Sequence, residues 1–168
     1  MLFKNVGEYQ DIQYRNVISR YYTVSPEEMQ DTYNAFLEEV RKAGYTLRGP
    51  FFYTINSKLE ENQDVLMELF IPVEEEYIED ALPEDFLYHS LFQVLNTVST
   101  RILEPDDESV KEGISFLAGY IYYQGHCELT PPFFFTTISD GKVYTDIKVG
   151  VLKETFSGIQ SIEEIFGW

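Results

Sequence analysis

One helical pattern occurs twice in this chain at a constant offset, and few folds can accommodate that. In the stretch 25–44 (SPEEMQDTYNAFLEEVRKAG) apolar residues fall at Met29, Tyr33, Phe36 and Val40. In the stretch 106–125 (DDESVKEGISFLAGYIYYQG) they fall at Val110, Ile114, Leu117 and Ile121, each 81 positions on (110 − 29). Steps of four, three and four residues put one apolar stripe on one side of a helix. Each stretch stops at a glycine, Gly44 or Gly125, where a left-handed helix end forms most easily. Proline and a run of aromatics follow each time, GPFFYT at 49–54 and PPFFFT at 131–136. Two matched helix-then-strand units imply an internal duplication.

The flanking segments fill out the unit. Val17 to Val24 is β-branched and aromatic, which predicts a strand leading into the first helix. Ser25-Pro26-Glu27-Glu28 predicts a helix start with Pro26 at the first position and a capping box between Ser25 and Glu28. Arg41 and Lys42 complement the dipole at the other end. Phe51 to Ile55 predicts a strand and 56–64 a polar loop, while Val65 to Val73 reads as a buried strand interrupted by Glu68. The first β-α-β-β unit thus spans about 17–73, an acidic connector 74–87, and a second unit about 88–152. Within the second, Tyr88 to Leu95 leads to a turn at Asn96-Thr97 and a strand from Val98 to Leu103. Phe133 to Ile138 and Val143 to Leu152 form a hairpin turned at Asp140-Gly141. In the tail, 153–168, Ile159, Ile162, Ile165 and Phe166 share one side of a possible short helix. The expected fold is a single α+β domain over 1–168. Its duplicated units are related by a pseudo-twofold axis, with an antiparallel sheet and two helices on one face.

Charge narrows the function. There are 12 Lys and Arg against 29 Asp and Glu, a net charge of −17, whereas nucleic-acid binding is driven by cations. Direct nucleic-acid binding is not expected. Between Lys58 and Arg101 there are eleven acidic residues and no basic one, a solvated face that could also receive a basic partner. The single cysteine, Cys127, excludes an internal disulfide and a cysteine-rich metal site, and reads as a buried or incidental thiol beside His126. His89 has no evident ligand partner, so no metal or cofactor is expected. The start, MLFKNVGEYQ, lacks the apolar core of a signal peptide, and no run approaches a membrane span. The expected location is cytoplasmic.

Chemically, the most suggestive feature is a pair of carboxylates in apolar strands. Aligned on Pro72 and Gly150, Glu68 in MELFIPV matches Asp146 in TDIKVGV. Burying a carboxylate is costly unless it finds a cation or hydrogen bonds. The duplicated plan, the aromatic strand after Gly-Pro or Pro-Pro, and a last strand of the form Glu-x-x-x-Pro-Val resemble the GyrI-like, or AraC effector-binding, small-molecule-binding domains. That resemblance covers about 17–152 and implies helices on one side and a concave sheet on the other. It further implies an aromatic cleft with a buried acid taking organic, often cationic, ligands. Carried over, Glu68 and Asp146 are the acids and Tyr53 and Phe135 the aromatic walls. Asp146 is shorter than the family's glutamate and Gly150 replaces its proline. With no helix-turn-helix segment, the chain would be a stand-alone member. It is also similar to small proteins of Gram-positive bacteria encoded near toxins and type VII secretion genes.

These readings yield a non-catalytic small-molecule-binding module as the expected function. The alternative is an accessory, adaptor or inhibitor whose acidic surface (Glu74, Glu75, Glu76) and terminal Trp168 meet a basic protein. A hydrolytic variant, with Glu68 as general base beside a tyrosine donor, has no readable nucleophile to support it.

Overall fold

The computed structural model describes residues 6–58, 60 and 63–152. The elements run β1 (Val6–Val24), a 3-10 turn (Pro26–Glu28), α1 (Met29–Lys42), β2 (Phe52–Ile55), β3 (Val65–Pro72), β4 (Leu87–Leu103), α2 (Asp107–Tyr123), β5 (Cys127–Glu128), β6 (Phe133–Ser139) and β7 (Lys142–Leu152). The expected α+β class holds, and with the two-residue β5 set aside the order strand, helix, strand, strand occurs twice. The expected sheet is here a closed one. Strands follow the order β4-β1-β3-β2-β6-β7, all pairs antiparallel, and β7 pairs back onto β4, leaving a six-stranded barrel with β5 as a short flap on β7.

Closure depends on β4, where a turn at Asn96-Thr97 was the expectation. The strand instead continues through a kink: Asn96 takes a positive φ of 57°, a conformation asparagine tolerates. The Asn96 amide donates to Asp11 Oδ1 at 2.9 Å, and the Thr97 hydroxyl to the Gln10 carbonyl at 2.7 Å. The β1–β4 register shifts beside Gln10. Such irregularities bend and twist a strand, and beyond this one residues 97–103 pair with β7 as well.

Alternation along the strands sorts the apolar residues into three groups. Ile12, Val17, Phe52, Phe70, Phe133 and Phe135 meet inside the barrel. Outside, Phe36 and Val40 of α1 cover Ile18, Met67, Leu69 and Ile71. Leu117 and Ile121 of α2 cover Val98, Phe134, Ile147 and Val149. The later stripe residues, Phe36 and Val40 in α1 and Leu117 and Ile121 in α2, are therefore scaffold, as their spacing implies. The helix starts differ from expectation in one respect. Ser25 makes no side-chain cap, and the Glu28 amide bonds the Ser25 carbonyl at 3.0 Å within the 3-10 turn. A reciprocal cap forms at α2 instead, where Asp106 accepts from the Ser109 amide and Ser109 Oγ from the Asp106 amide. The Asp140-Gly141 hairpin is formed, with both residues at positive φ (52° and 73°), the type I′ geometry.

Gly150, which stands where the first unit has Pro72, is required by packing. A Cβ there would lie 2.7 Å from Val94 Cγ1 and 2.9 Å from Thr130 Cγ2. Both neighbours are β-branched and cannot swing away freely. Gly150→Ala is expected to lower stability by roughly 1–3 kcal/mol, the usual overpacking cost, measured as a shift in the guanidinium unfolding midpoint.

Candidate functional site

One open space lies on the outer surface, between the starts of the two helices. There a cavity of about 390 Å³ is lined by Met29, Tyr53, Ile55, Val65, Val110 and Phe134, with Glu27, Glu60, Asp107 and Lys111 also contributing. Its floor is the centre of the β2–β6 pairing, where Tyr53 and Phe134 lie directly opposite and their rings stack at 5.1 Å. Tyr53 also stacks on Tyr33 of α1 at 5.3 Å. Burial raises the pKa of Tyr33, and its bond to Tyr53 raises it further, so both phenols stay neutral donors at ordinary pH. The cavity therefore presents an aromatic and aliphatic floor, with three carboxylates against one ammonium in its lining.

The four residues expected to share one cleft are not brought together. Tyr53 faces the helices, whereas Phe135 pairs with Phe52 and points into the barrel, so the two lie on opposite faces. The side away from the helices is no open cleft in its middle. Closing the barrel presses Phe52, Phe70 and Phe135 into a stack, with centroids 4.8 and 4.7 Å from Phe52. Asp146 sits on the inner face and is held bidentately by Arg101, at 2.7 and 3.0 Å. An acid already neutralised by an arginine fork is a poor countercharge for a ligand.

Glu68 also faces inward, 8% exposed, and takes two hydroxyl donors. Ser19 Oγ donates to its Oε2 at 2.8 Å, and the Tyr21 phenol, whose pKa that bond raises, is the other. Ser19 in turn lies 2.9 Å from His89 Nε2. A hydroxyl has one proton, and Ser19 directs it to Glu68, so His89 must donate from Nε2. His89, half-buried and with no legible partner in the sequence, thus ends a Glu68–Ser19–His89 chain whose other two members are buried. Its partners lie 49 and 70 residues from Ser19, too distant for any local motif to signal.

The acidic connector is partly committed to the fold. Hydrogen bonds from Thr46, first from its side chain and then from its amide, which lies 2.7 Å from both Glu75 oxygens, lower the Glu75 pKa, while Glu74 and Glu76 are exposed. Trp168 and the tail stripe lie outside the described residues. Cys127 is exposed in β5, not buried, because that short strand lies on the flap. Among the described residues no group of His, Cys, Asp and Glu could hold a metal, and no helix is long and apolar enough to cross a membrane.

A family model described as a domain of unknown function, DUF5085, matches residues 13–153. The chain belongs to the DUF5085 family. No curated protein matches it. Among solved structures, this DUF5085 chain is similar to the EcmrR C-terminal domain, with 17% identity and a TM-score of 0.67 over 86% of this chain and 98% of that one. It also matches EcmrR in its complex with DNA (17% identity, TM-score 0.68, 86% of this chain), spanning 58% of that longer chain. A hydrolase from Listeria innocua is a further match, at 12% identity and a TM-score of 0.56 over 89% of this chain and 94% of that one. At these identities the likeness is one of fold alone.

The Glu68–Ser19–His89 chain carries a pH signature. Burial lowers the pKa of His89 below its ordinary 6.5, with Glu68 opposing part of the shift. The unfolded chain then binds the proton more readily, so stability rises with pH across that window. The contribution of neutral His89 is full above about 6.5 and is lost as pH falls towards the depressed value. Urea midpoints should therefore drop more steeply between about pH 7 and 5 for the native protein than for His89→Gln, which keeps an N–H donor but does not titrate. Parallel slopes would remove His89 from the account.

Proposed function

We propose that this protein is a cytoplasmic, non-catalytic small-molecule-binding module whose site is the cleft between the starts of α1 and α2. The observation that carries this reading is the 390 Å³ cavity over the stacked Tyr53–Phe134 pair. It is concave and mainly apolar, with a few charged groups, as small-molecule sites usually are. Three carboxylates against Lys111 favour a planar or bulky organic cation. Ring faces attract such a cation by about 0.5–2 kcal/mol per contact. Likeness in fold to the EcmrR C-terminal domain is in keeping with this.

Of the residues expected from the resemblance, Tyr53 keeps its place in the reading, joined by Phe134, Met29 and Val110. Glu68, Asp146 and Phe135 support the barrel behind it. We also read the repeated element order as a true duplication. The β2–β6 register is symmetric about the Tyr53/Phe134 pair, and Glu68 opposite Thr54 is then equivalent to Asp146 opposite Phe135.

Tetraphenylphosphonium and its isosteric anion tetraphenylborate test the charge preference directly. Calorimetry should give at least tenfold tighter binding of the cation, and Val110→Trp, which fills the cavity from a half-buried position in the first turn of α2, should abolish it. Binding that survives Val110→Trp, or equal affinity for the two ions, would refute the proposal.

A further inference from the structure

A second cavity, of about 570 Å³, opens on the inner face where β1, β4 and β7 meet. Its chemistry is the opposite of the first. Arg101 and Lys148 both line it, together with Gln10, Ser99, Tyr144 and Asp146. In the β4–β7 register Ser99 pairs with Lys148 and Arg101 with Asp146. The two basic side chains are therefore diagonal neighbours on one face, within reach of a shared ligand.

Each cation is held in place before any ligand arrives. Arg101 is fixed by its fork to Asp146 and lies 5.4 Å from the centre of the Tyr144 ring. Lys148 Nζ lies 4.9 Å above the Phe135 ring, and among the described residues no carboxylate is within salt-bridge distance of it. Two cations and one carboxylate leave the cavity one positive charge in excess, in a protein whose net charge is −17. A lysine resting on a ring with no counterion of its own, in a cavity edged by hydroxyls and an amide, is the arrangement an anionic group would complete.

We propose that this inner-face cavity binds the anionic group of a small polar molecule, a phosphate or carboxylate, between Lys148 and Arg101. The anion accepts hydrogen bonds from Lys148 Nζ and the free edge of the Arg101 guanidinium. Gln10, Ser99 and Tyr144 supply neutral donors for the rest of the ligand. The site is separate from the outer cleft, which the barrel wall divides from it, so either can be true without the other.

Amide NMR titrations of the full chain with inorganic phosphate and with citrate, at constant ionic strength, test this. The expected result is saturable shifts centred on Ser99, Thr100, Arg101 and Lys148 for at least one of the two ions. Lys148→Met, which keeps the stem over Phe135, should weaken that binding at least tenfold, and Lys148→Arg should retain it. Saturation by phosphate alone assigns a phosphorylated ligand, and by citrate alone a carboxylated one; both outcomes support the site. Non-saturable shifts with both ions, or affinity unchanged in Lys148→Met, would overturn it.

Discussion

Everything in this molecule hangs on the pairing of β2 with β6. Three residue pairs, Phe52 with Phe135, Tyr53 with Phe134 and Thr54 with Phe133, join the two halves of the chain at the centre of the sheet. Because side chains alternate across a strand, that register commits Phe52, Phe133 and Phe135 to the barrel interior and Tyr53 and Phe134 to the helices. Slipping it by one residue would exchange the two sets. The interior would then receive a phenol that the outer surface now satisfies through Tyr33.

From this seam the charges partition. The inner wall holds carboxylates only where each has its own donors: Ser19 and Tyr21 for Glu68, Arg101 for Asp146. The outer cleft keeps its acids, Glu27, Glu60 and Asp107, around an apolar floor. A buried acid with satisfied bonds is structural; an acid at the edge of an aromatic floor is available to a ligand.

Much of the architecture was legible because it is local. The helix stripes, the β3 run, the Asp140-Gly141 hairpin and the repeated element order all follow from spacing and turn chemistry. What was not legible is non-local. Barrel closure needs the kink at Asn96, which in sequence has the look of a turn, since asparagine serves either role. The faces of Tyr53 and Phe135 depend on pairing across 81 residues (134 − 53). Matched by their proline-led aromatic runs alone, Tyr53 corresponds to Phe135, whereas the strand register sets it opposite Phe134. Arg101 lies 45 residues from Asp146, and no pattern within either strand announces their pairing.

The central claim is that a ligand meets the helix side of the β2–β6 seam and not its inner side. Intermolecular NOEs between the phenyl protons of bound tetraphenylphosphonium and assigned side chains measure this directly. The account predicts contacts to Tyr53, Phe134, Met29 and Val110. Contacts to Phe52, Phe70 and Phe135, with none to Tyr53, would place the ligand inside the barrel and contradict it.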